Sequence, residues 1–447
     1  MYILTNGRLI TRDPDAKGYY EKGAVVYEGS KIVEVGEEAA LTAKYPQAEK
    51  IDAKGGIIMP ALINAHTHIY SALARGLSIV GNNPTNFFEV LDGTWWAIDR
   101  HLTLEGTRAS ADALYIDCIK QGVTTIFDHH ASYCQIPGSL FQIGESAKKF
   151  GIRSCLCYEV SDRDGESKCL EAIQENADWI TYCQEHKDPM LAAMFGGHAL
   201  FTISDKTFDR MVAANNGRTG YHIHVSEGMN DVYDSLQNYG RRPVQRLQDH
   251  GILGEKTILG HCIHVNTAEM EIIKETDTMV VNNPESNMGN AIGICPVLQL
   301  YKRGILLGMG TDAYTNDMLE SLKVALCSQR SQNCLPNVGW CEVTDMLFKN
   351  NAKIGAKYFP DQLGVLKAGA AADIIVMDYK PFTPFSDENI DGHMIFGMTG
   401  RQCQTTIAAG KLLMKDRELV GIDEEAENAH ILEASKKLWG SLNHREY

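Results

Sequence analysis

Histidines at the ends of apolar segments are the residues of this sequence best placed to bind a metal ion. The first pair, His66 and His68, follows the apolar run 56–63. Side chains in a strand alternate between two faces, so both imidazoles are expected to point the same way from the end of a buried strand. Two imidazoles so placed supply half of a metal site. A His-x-His pair alone is more often a chance feature of a loop, so it needs support from the rest of the chain.

Three later segments supply that support. Residues 221–227 contain two histidines and Glu227, residues 260–264 contain His261, and residues 308–312 end in Asp312. Nitrogen and oxygen donors from separate strand ends can surround one divalent ion and leave a position for water, as catalytic sites do. Zn²⁺ suits these donors best, with Fe²⁺ and Mn²⁺ as alternatives. We therefore predict a site for one divalent metal ion at these strand ends.

Strand-like and helix-like segments alternate through the middle of the chain and would position these side chains. Helical patterns such as 104–120 and 139–150 lie between most of the strands, and eight such units predict an α/β fold, a TIM-like (β/α)₈ barrel. A doubly wound open sheet is the competing fold, but no Gly-x-Gly-x-x-Gly pattern follows any strand. The predicted strands are 57–63, 123–127, 153–159, 191–195, 219–224, 257–259, 278–281 and 304–308.

The two chain ends are expected to form a second, smaller domain. Short alternating runs punctuated by Gly and Asp occupy residues 1–57, and similar runs return after residue 366. We therefore predict a small β-sandwich domain built from 1–57 and 366–447, closed by a helix over 424–442, around a catalytic barrel of residues 58–365.

Composition restricts the partners and the location. With a net charge of −15 and a pI near 5.5, the chain is not expected to bind nucleic acid or an anionic membrane. No apolar run approaches the roughly 20 residues that span a bilayer. The amino-terminal residues lack a signal-peptide pattern, and the 12 cysteines contain no Cys-x-x-Cys pair. These features predict a cytoplasmic protein whose partner is a small molecule.

Taken together, the motifs resemble those of the amidohydrolase superfamily, in its deaminase and chlorohydrolase branch. The resemblance covers nearly the whole chain, and the more specific similarity is to the aminohydrolase group called SsnA, whose name leaves the substrate open. The motifs that carry it are residues 60–68, 122–125, 197–199, 224–227, 260–262, 282–287, 310–312 and 364–373.

The resemblance implies a role for each site residue. His66, His68, His224 and Asp312 are similar to the metal ligands, although His222 shares the predicted face of His224 and stays an alternative ligand. Catalytic roles are implied for Asp312, for Glu227, which resembles the residue that carries a proton from water to a ring nitrogen, and for His261, which resembles the histidine that orients water or substrate. His198 resembles a histidine lining the substrate pocket. A homodimer or larger homo-oligomer is also implied.

Three further residues are candidates for substrate binding. The second predicted strand ends in Asp128-His129-His130, and His130 is taken as a substrate contact, with support of a ligand histidine as the alternative. Arg75 could clamp an anionic or carbonyl group, or form a surface ion pair. Asn287 lies in a loop that could touch substrate, although turn formation explains it nearly as well. The adjacent Trp95 and Trp96 are read as core packing in preference to a stacking platform.

These features together predict a metal-dependent hydrolase of a carbon–nitrogen bond in a planar purine-, pteridine- or pyrimidine-like compound. Deamination by a metal-activated water is the favoured reaction. Cyclic-amide ring opening and hydrolytic dechlorination are alternatives at the same site. A non-catalytic barrel is disfavoured because the complete set of site residues is present.

Overall fold

The computed structural model describes residues 1–447, and at its centre eight parallel strands surround a common axis. Parallel pairing orders them into two sheets, and single bridges from Thr67 to Asp312 and from Val160 to Gly197 join the sheets edge to edge. The fold is therefore an α/β TIM-like barrel, as predicted. Its strands, numbered 1 to 8 along the chain, are Leu62–Thr67, Val123–His130, Arg153–Tyr158, Leu191–Ala193 continued by Phe195–Ala199, Tyr221–Val225, Ile258–His261, Met279–Asn282 and Leu307–Met309.

Helices connect the barrel strands and cover their outer surface. A long segment follows strand 1 and carries short helical turns, Ile69–Ala74, Phe87–Val90, Leu91–Trp95 and Trp96–Asp99, before the first long helix. The connecting helices are Leu104–Gln121, Ser139–Phe150, Glu166–His186, Asp205–Asn215, Met229–Tyr239, Pro243–Asp249, Thr267–Glu275, Pro284–Gly289, Val297–Lys302 and Met318–Asn333. Shorter helical segments at Trp340–Asp345, Met346–Asn350 and Asn351–Gly355 complete the barrel.

Local sequence signals explain where the helices begin and end. The Thr103 side chain accepts a hydrogen bond from the backbone N–H of Gly106 and so caps the first long helix. The same helix stops at Gly122, whose φ of 76° lies in the left-handed region that glycine adopts without strain. Strand 2 begins at the next residue, so this glycine turns the chain from helix to strand.

The side chains that point into the barrel are apolar near its bottom and polar at the carboxyl ends of the strands. Side chains such as Ile63, Phe127, Cys155 and Met279 pack together inside the barrel. Beyond this apolar layer, the inward positions at the strand ends are occupied by histidines and acids, described below. The carboxyl ends of the strands therefore carry the candidate chemistry, as in other barrels of this kind.

The β-rich end domain is formed by both chain termini, as predicted, and its strands make one nine-stranded sheet. Ile57–Pro60 pairs with Ile374–Met377 in this sheet, so the run predicted as a single barrel strand is divided, and barrel strand 1 begins at Leu62. The other strands are Tyr2–Ile10, Tyr19–Glu28, Lys31–Glu37, Glu49–Asp52, Cys403–Ala408, Lys411–Lys415 and Glu418–Leu419, with helices at Glu38–Lys44 and Ile390–Gly397.

The carboxy-terminal helix Glu424–Asn443 lies against the first long barrel helix. Ion pairs from Lys120 to Glu424 and from Lys437 to Glu105 connect the two helices. None of the helices combines the length and the apolar character required to cross a lipid bilayer.

Candidate active site

Four side chains from three strand ends converge at the mouth of the barrel. Nε2 of His68 lies 3.0 Å from Oδ1 of Asp312 and 3.3 Å from Nε2 of His224, and Nε2 of His66 lies 3.9 Å from the same Asp312 oxygen. Nε2 of His66 is buried without any hydrogen-bond partner. A buried, unpartnered imidazole nitrogen beside three other donors fits a divalent ion, so this cluster is a histidine-rich metal site.

Hydrogen bonds behind the cluster orient its imidazoles. Nδ1 of His68 donates to the backbone oxygen of His129 at 2.5 Å, which leaves Nε2 of His68 directed at the cluster. Nδ1 of His66 lies 2.8 Å from Nε2 of His222. His222 therefore contacts His66 from behind, whereas Nε2 of His224 lies among the converging donors. Of the two histidines on strand 5, the geometry favours His224 as a metal donor.

Glu227, His261 and Asp312 form the second half of the site. Nε2 of His261 lies 3.7 Å from Oε1 of Glu227 and 3.5 Å from Oδ2 of Asp312. Burial, reinforced by the Asp312 carboxylate, raises the pKa of Glu227 well above its ordinary value. Burial also works against ionisation of Asp312, but the hydrogen bond and charge of His68 hold the pKa of Asp312 below its ordinary value. The pKa of Glu227 therefore favours the protonated acid, whereas the pKa of Asp312 favours the carboxylate.

The backbone at this site is held in uncommon conformations. His261 and Asp312 have φ angles of 68° and 57°, in the left-handed region that residues with side chains rarely adopt. Hydrogen bonds fix Asp312, because its backbone N–H donates to the His66 carbonyl and its Oδ2 accepts from Ser286 Oγ at 2.5 Å. Such strain is concentrated where surrounding contacts hold a functional side chain in place.

Asn287, predicted to bind substrate, lies instead behind His261. Its Oδ1 accepts from Nδ1 of His261 at 2.8 Å, and its side chain is buried. The helix Pro284–Gly289, where the sequence predicted a loop, turns this side chain toward His261. Because Nδ1 of His261 is the donor, Nε2 of the neutral ring has a lone pair directed at Glu227 and Asp312.

Two other predicted substrate contacts also lie outside the cavity. Arg75 is on the surface, with 69% of its side chain exposed, and pairs with Asp117. His130 faces away from the barrel axis toward Tyr70 and Tyr158, because Phe127 points inward and alternation then places His129, not His130, on the inner face. His198, in contrast, lies on the cavity wall.

Sequence reasoning missed Glu159, which follows strand 3 and is buried in the same wall. Its Oε1 lies 3.0 Å from Nδ1 of His129 and 3.3 Å from Nδ1 of His68. Burial opposes its charge, but His129 and the neighbouring imidazoles lower the pKa of Glu159 to about 2. A lone acid after an apolar strand matches no motif, although its place at a strand end was an available signal.

Aromatic and apolar side chains cover the cavity. Tyr70, Phe87, Leu91 and Trp95 come from the long segment after strand 1. Trp96, on the same segment, is buried and packs edge-on against His198 at 5.8 Å between ring centroids. The first of the two tryptophans therefore lines the cavity, and the second supports its wall.

Comparison with known families and relatives connects this geometry to chemistry. The model of the Amidohydrolase family matches residues 57–413, and that of the bacterial imidazolonepropionase-like composite domain matches residues 23–48. The 5′-deoxyadenosine deaminase of Methanosarcina mazei is 30% identical over 452 residues, covering 99% of each chain. The 5-methylthioadenosine/S-adenosylhomocysteine deaminase of Thermococcus sibiricus is 31% identical, covering 88% of this chain and 90% of the relative.

Solved structures share the fold over almost the full length. An adenosine deaminase from Xanthomonas campestris with bound zinc superposes with a TM-score of 0.86, at 21% identity and 98% coverage of both chains. A variant of atrazine chlorohydrolase from Arthrobacter aurescens, complexed with zinc and atraton, has a TM-score of 0.81 at 21% identity, covering 97% of this chain and 100% of the other. The same fold thus holds zinc in enzymes of different specificity.

Proposed function

We propose that this chain, which belongs to the amidohydrolase family and is a metal-dependent hydrolase of carbon–nitrogen bonds, deaminates the purine ring of an adenosine-like nucleoside. The observation that carries the proposal is the convergence of His66, His68, His224 and Asp312 beside Glu227 and His261. The names of the full-length relatives support an adenosine-like substrate, with 5′-deoxyadenosine as the first compound to test.

Zinc is the proposed metal, held by His66, His68, His224 and Asp312. The donor set of three imidazoles and one carboxylate is the basis of this choice, and Fe²⁺ or Mn²⁺ would suit it less well. A bound ion of this kind lowers the pKa of its water from about 15.7 toward about 7, so that water becomes a nucleophile at neutral pH.

The remaining steps belong to side chains of the chain itself. Asp312 and His261 accept hydrogen bonds from the attacking water and so orient it toward the ring carbon that carries the amine. Glu227, whose raised pKa keeps it protonated, donates its proton to the adjacent ring nitrogen, while the Asp312 carboxylate takes a proton from the attacking water. The proton held by Asp312 passes to the amine, which leaves as ammonia, and the hydrogen of the added hydroxyl returns to Glu227, so that the product carries an oxo group in place of the amine. An acid–base group in this role contributes about 10²–10⁴-fold to the rate.

Assembly, location and subgroup are further parts of the proposal. A homodimer or larger homo-oligomer is proposed because closed symmetric assemblies are the commonest state of soluble enzymes. A cytoplasmic location is supported by the 12 cysteines, all of which are free thiols and most of which are buried. Membership of the SsnA group is supported by the motif resemblance alone.

Ammonia release by the zinc-loaded protein tests the reaction. The panel contains adenosine and 5′-deoxyadenosine beside pteridines, pyrimidines and guanidino compounds, and products are identified by mass. The proposal would be supported if the protein deaminates an adenosine-like compound and the Glu227→Gln variant loses this activity. Addition of one water without ammonia would indicate ring opening. Chloride release from a chlorinated ring compound added to the panel would indicate dechlorination. A protein that binds no metal would refute the hydrolase mechanism.

A further inference from the structure

Two hydrogen-bond acceptors lie side by side on the cavity wall and have no role in the proton transfers described above. Nε2 of His198, on strand 4, lies 3.9 Å from Oε2 of Glu159, which follows strand 3. Both residues are buried and line the same cavity as His68, His224 and Glu227. Their hydrogen-bonding states follow from the partners of their other atoms.

The partner of Nδ1 determines the state of His198. Nδ1 lies 2.8 Å from Oγ1 of Thr202, and the single hydroxyl hydrogen of Thr202 is donated to the backbone oxygen of Ala199 at 2.9 Å. Thr202 must therefore accept a hydrogen from Nδ1 of His198. In the neutral ring, Nε2 then has no hydrogen and can only accept.

The partners of His129 determine the state of Glu159. Nδ1 of His129 faces Oε1 of Glu159 at 3.0 Å, and Nε2 of His129 faces the carbonyl oxygen of His222 at 2.9 Å. Both neighbours accept, so both ring nitrogens of His129 are directed at them as donors, and Oε1 of Glu159 is occupied by His129. Oε2 of that carboxylate takes part in no hydrogen bond within the protein and is an acceptor.

A second metal ion fits this part of the wall poorly. His68, His129, Glu159 and His224 place ligand-type atoms within 4.8 Å of one another. However, both nitrogens of His129 are engaged as donors, and Nδ1 of His68 donates to the His129 carbonyl. A metal would require these nitrogens to give up their hydrogens and their partners. The two acceptors are better satisfied by hydrogens that a ligand brings.

We propose that Glu159 and His198 form a donor-recognition subsite, which selects substrates carrying a pair of N–H or O–H groups beside the ring that is deaminated. The inference rests on the proposed function, because it assigns the subsite to the same cavity and to the purine compound that is deaminated there. Buried acceptors without donors are costly, so a ligand lacking these hydrogens leaves two acceptors unsatisfied. The hydrogens can come from the 2′- and 3′-hydroxyls of a nucleoside or from the N–H edge of an oxidised purine.

Two matched ligand pairs separate these sources. Adenosine and 2′,3′-dideoxyadenosine differ in the ribose hydroxyls, whereas guanine differs from 2-aminopurine in the 6-oxo group and in the ring N–H that accompanies it. Dissociation constants are measured by calorimetry on the zinc-loaded Glu227→Gln protein, with and without Glu159→Gln. The matched control is Glu175→Gln, which alters another buried carboxylate, one that accepts from the backbone of Gly138 and Leu140 away from the cavity.

The expected result is selective. Glu159→Gln weakens binding of the donor-bearing member of one pair by about 10- to 100-fold more than binding of its partner, the range for a hydrogen bond to a charged group. If binding is selectively weakened only within the ribose pair, the donors are the ribose hydroxyls. If it is selectively weakened only within the purine pair, the donors are on the purine ring. Equal effects on both members of each pair, or the same selectivity in Glu175→Gln, would overturn the inference.

Ligand binding by the Glu227→Gln protein alone provides a second test of the subsite. If Glu159→Gln does not fold, the Glu227→Gln protein alone must still bind the donor-bearing ligand of one pair about 10-fold or more tightly than its partner. Absence of that preference, or absence of binding by all four ligands, refutes the subsite. Because these constants do not depend on turnover, failure of the subsite and failure of the deamination assay are distinguishable.

Discussion

His68 follows the first barrel strand and Asp312 follows the last, yet Nε2 of His68 is 3.0 Å from Oδ1 of Asp312. Strands 1 and 8 become neighbours only when the barrel closes, and the bridge from Thr67 to Asp312 makes that closure. The metal site is therefore assembled by the same step that completes the fold. Metal binding and stability should consequently depend on one another.

Removal of the metal is expected to lower both activity and thermal stability. A ligand that binds only the folded state adds about 2.7 kcal/mol to the free energy of unfolding at 100 times its dissociation constant. Calorimetry of the chelated and zinc-reloaded protein should thus show a lower Tm that zinc restores, together with the activity. An unchanged Tm would mean that the cluster at His66 and Asp312 binds no ion with useful affinity.

Substitution of the two histidines on strand 5 should have different effects. His224→Asn removes a donor from the cluster, so the protein should no longer retain one equivalent of zinc after dialysis. His222→Asn removes only the contact behind His66, and loss of such a supporting hydrogen bond lowers metal affinity by about 10–100-fold. Metal analysis and competition titration measure both quantities. The reverse order of effects would make His222 the ligand.

Glu227→Gln should retain zinc but lose about 10²–10⁴-fold in kcat. The amide cannot shuttle a proton, whereas the metal donors are unchanged. Steady-state kinetics and metal content are measured together, with Glu271→Gln as the control, because Glu271 forms only a surface ion pair with Arg303. Wild-type kcat in a zinc-replete Glu227→Gln protein would remove Glu227 from the proton transfer.

The barrel and the positions of the converging side chains could be predicted because they follow from alternation and from order along the chain. His66, His68 and Asp312 stand at or just beyond the ends of apolar strands, and strand ends of one barrel share one face. The sequence did not show which of Asp128, His129 and His130 faces the cavity; in the structure Phe127 points inward, so alternation along strand 2 places His129 on the inner face. Arg75 could not be placed, because the path of a long loop depends on packing that sequence patterns do not encode.

Gly310→Ala should disturb the site although it adds only one methyl group. The new Cβ would lie 2.6 Å from Oδ1 of Asn283 and 2.6 Å from the carbonyl oxygen of His66, and backbone cannot yield easily. We expect a loss of about 1–3 kcal/mol in the free energy of unfolding, with lower zinc occupancy. Gly36→Ala is the control, because its nearest contacts are 3.9 Å away. Equal Tm and zinc content in both variants would contradict the predicted steric clash at residue 310.

Glu285 should make the protein less stable as the pH rises. Burial, together with Glu320 and Asp317, raises the pKa of Glu285 from 4.5 to about 7. Between these values the folded protein holds a proton that the unfolded chain has released, so the free energy of unfolding falls with increasing pH. Glu285→Gln removes this penalty and should raise stability at pH 8 by up to about 3 kcal/mol, and by nothing at pH 4. Denaturant unfolding at both pH values measures the difference. An equal gain at pH 4 would show that packing, not charge, is responsible.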